Sequence, residues 1–223
     1  MIMKTGWLRA LLAIGVLALI AIAAVTAYTV AGRDRLKLNG TAIDNPPGVQ
    51  DVTLLGTDGE TVQLGRWEGD LLLVFFGYAH CPDVCPLTMA RLARTYEELG
   101  EPEDLQVLMV TVDPDRDTPE QLEKYVQRFH PDFVGLTGTP AMIADASARF
   151  YVASIGADTN PGGSVSHSSH VTLVDREGRM RLIYNQDKIG DLLKEDLGTL
   201  LAQQQGTRQQ YLPGTPYARV HMP

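Results

Sequence analysis

Leu71-Leu72-Leu73-Val74-Phe75-Phe76-Gly77-Tyr78-Ala79-His80-Cys81-Pro82-Asp83-Val84-Cys85-Pro86 is the stretch on which the fold of this chain turns. The apolar run 71–76 predicts a strand buried on both faces, the mark of a central strand in a helix-covered sheet. Helical spacing then follows through Leu87, Leu92, Tyr96 and Leu99 over 84–99. The only two cysteines of the chain therefore sit between the end of a buried strand and the start of a helix. A helix amino terminus favours thiolate over thiol, through its free N–H groups and partial positive charge.

Outward from this segment, Val52–Leu55 and Thr61–Leu64 flank Asp58-Gly59 as a hairpin. Leu105–Val112 reads as a second buried strand. Thr118-Pro119-Glu120-Gln121 opens a helix with a cap, a proline at its first position and a capping-box glutamine. Another helix follows Pro140 to about Tyr151. His170–Val174 and Met180–Tyr184 form a hairpin around Arg176-Glu177-Gly178, and Ile189–Gln204 is a closing helix. The predicted order is a hairpin, then β-α-β-α-α, then a hairpin and a helix. This is an α/β, thioredoxin-like mixed sheet flanked by helices. The domain is expected over 49–205, after a Gly- and Pro-containing linker at 32–48 and before a flexible tail at 206–223.

From Ala10 to Val30 there are 21 residues without a charge. As a helix these span about 31 Å, the thickness of a bilayer's hydrocarbon core. That exceeds the apolar core of a signal peptide, so 1–31 is read as an uncleaved, single-pass transmembrane anchor. Basic residues flank both ends: Lys4 and Arg9 before the run, and Arg33, Arg35 and Lys37 after it. Charge therefore does not set the orientation. An early hydrophobic segment exports the chain behind it, which puts the domain outside the cytoplasm. The absence of an Arg- and Ser-rich leader points to a bacterial cell membrane.

Of 27 acidic and 19 basic residues, 26 and 14 fall after residue 37, giving that part a net charge of −12. A surface of that sign repels phosphate backbones and excludes nucleic acid as a partner. Two cysteines four positions apart do not make a disulfide scaffold, and so short a loop adds little stability if closed. Cys81 and Cys85 are instead a redox pair or a metal clamp. Soft thiolates suit copper(I) and zinc, and added imidazole ligation suits either copper valence.

The residues alone leave a third ligand open among the histidines. His80 adjoins Cys81, but adjacent side chains turn apart. His130 is expected as a solvent-facing or capping residue before Pro131, and His221 lies in the tail. His167 and His170 flank Ser168-Ser169 in a loop rich in glycine and serine. Asp83 is expected to cap the helix after it. Asp115-Arg116-Asp117 is expected as an ion-pair turn holding a loop near the site. Phe75, Phe76, Tyr78 and Phe150 are expected in the core, with Tyr78 lining the site.

Three blocks together resemble the SCO/SenC family of thioredoxin-like copper proteins that assist assembly of cytochrome c oxidase. They are Phe76-Gly77-Tyr78 with Cys81-Pro82-Asp83-Val84-Cys85-Pro86; Val112-Asp113-Pro114-Asp115-Arg116-Asp117-Thr118-Pro119; and His167-Ser168-Ser169 leading into Leu173–Gly178. The resemblance covers roughly 45–204 and implies one copper ion, Cu(I) or Cu(II), held by Cys81, Cys85 and His167. It also implies a metallochaperone working at the membrane on the copper-site subunit of cytochrome c oxidase, with other copper chaperones or thiol reductases as further partners. Two departures stand out: Ser166 where the family often has an acid, and His170 where it has a small or apolar residue.

The alternative is a thiol–disulfide oxidoreductase that reduces the oxidase's copper-site cysteines or senses redox state. Against it stand the three-residue spacer and the lack of a proline immediately before Val171. A peroxidase would need a threonine three residues before its cysteine, where Cys81 has Tyr78 and Cys85 has Pro82.

Overall fold

Seven consecutive residues with no exposed side chain, Leu71–Gly77, lie in the middle of the sheet, as the apolar run predicts. The computed structural model describes the backbone of residues 4–31, 37–155, 166–167 and 169–211, with side chains over 11–25, 37–153 and 169–203. In chain order the elements are α1 (Lys4–Ala31), β1 (Thr41–Ala42), β2 (Thr53–Gly56), β3 (Thr61–Gln63), a 3-10 turn (Leu64–Trp67), β4 (Leu71–Gly77), α2 (Val84–Glu98) and β5 (Leu105–Thr111). After these come α3 (Pro119–Gln127), β6 (Val134–Thr137), α4 (Pro140–Arg149), β7 (Ser154–Ile155), β8 (Ser166–His167), β9 (Val171–Val174), β10 (Met180–Tyr184) and α5 (Asp191–Tyr211).

The chain divides into two units, Met1–Leu38 and Asn39–Pro223. In the first, α1 is helical over 28 residues. Its described side chains run from 11 to 25 and are exposed and apolar all round, from Leu11 through Ile20 to Val25. Among the described residues no helix is long and apolar enough to cross a membrane. The segment 11–25 spans only about 22 Å at the rise of an α-helix.

In the second unit eight strands form one mixed sheet in the order β1-β10-β9-β4-β5-β6-β2-β3. β4, β5 and β6 run parallel to one another, and the other pairings are antiparallel. Alternation along each strand builds two cores. Leu72, Val74 and Phe76 pack with Leu108, Val110 and Leu136 beneath Ile143, Ala146 and Phe150, the last three at α4. Gly77 faces the other way, toward Cys85 of α2. The Phe76 and Phe150 rings meet at 5.3 Å, so these expected core aromatics are core.

β6 is not among the expected elements, since the pattern predicts two helices in succession there. It is four residues long, and Gly135 interrupts its apolar pattern. A methyl group at 135 would lie 2.8 Å from Leu122 Cγ, so the glycine is what lets α3 close on the sheet. The Asp58-Gly59 and Arg176–Gly178 hairpins form as expected, with Gly59 at φ +84 and Gly178 at φ +68. The capping box of α3 also forms, between Thr118 and Gln121.

The structure differs from the expected linker over 39–48. Thr41–Ala42 pair with β10 at the sheet edge, and Gly48 bridges Arg179. Asp196 of α5, fully buried, accepts hydrogen bonds from Asn39 N (2.9 Å), Gly40 N (3.0 Å) and Tyr184 Oη (2.7 Å). Periodicity gives no sign of this, because a two-residue strand has no period and its partner lies about 140 residues away. At the other end α5 continues to Tyr211, beyond both the expected helix end and the start of the tail; residues 212–223 lie outside the described residues.

A protein beginning at residue 49 would leave Asp196 without its main-chain donors. We expect it to unfold about 2 kcal/mol more easily than one beginning at residue 38, read as a lower urea midpoint at unchanged slope.

Candidate thiol and metal centre

β4 ends at Gly77, and the chain must turn at once to bring Cys81 and Cys85 over the strand end. Gly77 makes the approach feasible: a methyl group there would sit 3.1 Å from Cys85 Sγ and 2.7 Å from the Phe75 ring. Cys81 N donates to Tyr78 O (3.2 Å) within the turn, and Leu87 N to Asp83 O starts the helix. Pro86 falls in the first helical turn, where its missing N–H would have had no intrahelical partner.

The structure brings Cys81 and Cys85 together as reduced thiols in hydrogen-bond contact, Cys85 wholly enclosed and Cys81 at the rim. Their acidities are split. Burial on its own pushes Cys81 up. The main-chain N–H groups of Asp83 and Cys85, the Cys85 thiol and the Tyr78 hydroxyl outweigh it and hold Cys81 below the ordinary thiol range. For Cys85 burial dominates and pushes the thiol far up. One N–H from Tyr78 opposes it, while the Cys81 sulfur and the Asp117 carboxylate add to it. The result is one ready nucleophile at the mouth above one protonated thiol.

Asp117 holds this loop from below. Fully buried, it accepts from Ala79 N (2.8 Å), Thr111 Oγ1 (2.7 Å) and His80 Nδ1 (3.0 Å). A carboxylate only accepts, so His80 carries its proton on Nδ1 and turns that nitrogen toward Asp117. Thr111 stands opposite Gly77 in the β4–β5 register and accepts in turn from Asp113 N (3.0 Å).

The expected turn therefore does hold the site, with a different pairing. Arg116 pairs with Asp113. Asp83 at the helix start makes no side-chain capping bond; its main-chain N–H serves the Cys81 sulfur instead. Tyr78 is core and lines the site. Sequence reasoning missed Tyr125 of α3. Its hydroxyl is buried with no hydrogen-bond partner among the described residues, and burial, then the nearby Cys85, Cys81 and Asp117, push its acidity down.

His130 is buried, against the solvent-facing expectation, and packs on Tyr96 (4.8 Å) and Phe133 (5.3 Å). Its ligand atoms lie within 4.8 Å of Glu101 and Asp132. Nδ1 accepts from Asp132 N, which leaves the proton on Nε2 facing Glu101. With Nδ1 occupied as an acceptor the ring is neutral and has no lone pair left for a metal, and its Nε2–H faces Glu101 across 3.8 Å, longer than a hydrogen bond. His170, at the start of β9, is buried. The backbone of Ser166–His167 forms β8, with Ser154 opposite His167. The His167 side chain, Ser168 and His221 lie outside the described residues.

Two outcomes test this geometry. Asp117→Asn, which turns N–H toward at least one of three donors, should cost about 2–3 kcal/mol in urea unfolding. In the reduced protein, iodoacetamide should modify Cys81 with a pH profile shifted below that of free cysteine, while Cys85 stays unreactive through mildly alkaline pH. Equal profiles would refute the split.

Comparison with known proteins bears on the same residues. The SCO1/SenC family model matches residues 41–202. The SCO2-like protein of Rickettsia conorii is 35% identical over 133 residues, 58% of this chain and 65% of that relative, so the match spans just under two thirds of it. Among solved structures, apo Sco1 from Thermus thermophilus is 37% identical, with a TM-score of 0.65 over 76% of this chain and 99% of its own. Copper-bound ScoI from Arabidopsis thaliana is 28% identical, with a TM-score of 0.62 over 74% and 98%. With its mixed thioredoxin-like sheet and its paired cysteines beyond a buried central strand, this chain belongs to the SCO1/SenC family.

Proposed function

We propose that this chain is a copper metallochaperone that binds one ion through Cys81, Cys85 and His167 and assists assembly of the dinuclear copper site of cytochrome c oxidase. The observation that carries the reading is the pair of contacting reduced thiols at the start of α2, one at the rim and one enclosed. Two such sulfurs are the donors copper(I) prefers. Cys81 needs little to become a thiolate; Cys85 must give up a proton as the metal arrives, so affinity rises with pH. An imidazole from His167 supplies the nitrogen that copper(II) requires. A copper-bound ScoI of the same fold supports the reading, as does membership of the family.

The described side chains of α1, 11–25, are exposed and apolar all round, which suits a lipid environment, and the uncharged run Ala10–Val30 is long enough in sequence to span it. In this reading the domain is tethered to a bacterial cell membrane and faces outward, beside the copper-site subunit of the oxidase. Other copper chaperones or thiol reductases load and reduce it.

A second reading stems from the Cys81 thiol, held below the ordinary thiol range and so readily ionised. Its thiolate would attack a disulfide of the oxidase's copper-site cysteines, forming a mixed disulfide and releasing one thiolate. Cys85, once deprotonated, would attack Cys81 Sγ and release the second. The partner gains two electrons, and Cys81–Cys85 is left as a disulfide.

Chelator competition on the reduced protein should give one copper per chain. Cys81→Ala, Cys85→Ala and His167→Ala should each weaken binding on the order of 100-fold for at least one valence, with His170→Ala within about threefold of wild type. Loss of binding with His170→Ala alone would move the third ligand to that residue. Rapid disulfide reduction by a protein with no copper affinity would replace the first reading with the second.

A further inference from the structure

Gln186 lies just after β10, and its side chain spans two segments that the chain keeps far apart. Nε2 donates to Thr88 Oγ1 at 2.8 Å and to Ser169 O at 2.6 Å. Thr88 is fully buried in α2, three residues after Cys85, and its own hydroxyl donates to Val84 O at 2.8 Å. Ser169 is two residues after His167. The Gln186 main chain is held as well, its carbonyl accepting from Arg91 Nη1 at 2.7 Å. A continuous set of bonds therefore runs from the first turn of α2, beside Cys85, through one amide to the segment that carries the histidines.

The direction of this amide is settled by its neighbours. Rotated end for end, it would set Oε1 against the carbonyl oxygen of Ser169. In the orientation adopted, Oε1 is buried with no hydrogen-bond partner among the described residues. Leaving a buried acceptor unpaired is unfavourable, so both N–H bonds are kept at the expense of the oxygen. A glutamine there only to fill space would not need that sacrifice. Alternatives of similar volume, such as leucine or methionine, would bury no amide oxygen, but they would leave Ser169 O without this donor.

We infer that Gln186 is a positioning residue that fixes the spacing between the histidine-bearing segment and the Cys85 turn, and thereby sets the protein's preference between the two copper valences. The inference rests on the proposed ligand set. Copper(I) is satisfied by two thiolates, both supplied by the 81–85 segment, whereas copper(II) draws more of its stability from nitrogen. Loosening the strap therefore weakens the hold on the oxidised ion and leaves the reduced ion nearly untouched.

The test uses the full-length protein in detergent, titrated with Cu(I) and Cu(II) against chelators, for wild type, Gln186→Ala, Gln186→Glu, Thr88→Val, Thr88→Ser and His167→Ala. In Gln186→Ala the Cu(II) affinity should fall about tenfold with Cu(I) affinity within about twofold, which raises the Cu(II)/Cu(I) potential by about 59 mV. The thiolate-to-copper(II) absorption and the EPR hyperfine splitting should shift with it. Gln186→Glu, which offers no N–H to Ser169, should be at least as severe. Thr88→Val, nearly isosteric and less able to disturb folding, should show part of the effect, and Thr88→Ser should restore it. Equal losses for both valences, or no change in either, in Gln186→Ala and Thr88→Val would overturn the inference. If His167→Ala selectively loses Cu(II) while the Gln186 variants do not, only the positioning role falls. If His167→Ala changes neither affinity, the ligand set itself is wrong.

Discussion

The buried carboxylate of Asp117 is the constraint on which the site depends. It accepts from the main chain at Ala79, the hydroxyl of Thr111 and the ring of His80, so the loop after β4, the end of β5 and the start of α3 meet at one pair of oxygens. In a low-dielectric interior each of these bonds is stronger than in water, and losing any one strands a buried group. The loop that presents Cys81 therefore has little freedom, although it contains no regular structure before Val84. The same charge raises the proton affinity of Cys85, so the group that anchors the loop also contributes to the asymmetry of the two thiols.

That asymmetry is the chemical property of the centre. Both sulfurs sit at the positive end of one helix, yet helix position does not separate them; environment does. Cys81 collects two main-chain N–H groups, a neighbouring thiol and a phenol at the rim, whereas Cys85 is pressed against Gly77 and the underside of the sheet with far less compensation for burial. Metal capture and disulfide exchange both begin with a thiolate that is already present and end with one that must be deprotonated. One geometry accommodates the two readings, and they differ in what approaches the rim.

Around this centre the domain is closed by polar contacts between residues distant in sequence. Asp196 gathers Asn39, Gly40 and Tyr184 at one sheet edge, and Gln186 gathers Thr88 and Ser169 near the site. Each ties down a buried side chain, Asp196 in the first and Thr88 in the second, where a satisfied hydrogen bond orders the surroundings more strictly than contact alone. Leu72, Val74 and Phe76 could slide or repack under an apolar change; these polar junctions have one arrangement.

Much of the fold was legible from local pattern. The run 71–76 announced a central strand, Thr118 to Gln121 a helix start, Asp58-Gly59 a turn, and the 81–85 spacing a pair of cooperating sulfurs, because each is a property of neighbouring residues and of the dihedral angles they favour. β6 was hidden by Gly135, whose purpose is to admit Leu122, and β1 by its brevity. Tertiary structure alone decided that Asp117 faces the cysteine loop while Arg116 turns to Asp113, that Asp83 contributes its main chain and not its carboxylate, and that Gln186 reaches both Thr88 and Ser169. The physical reason is common to all of them: a hydrogen bond depends on where two groups lie in space, and a sequence pattern carries the period of an element but not the position of its distant partners.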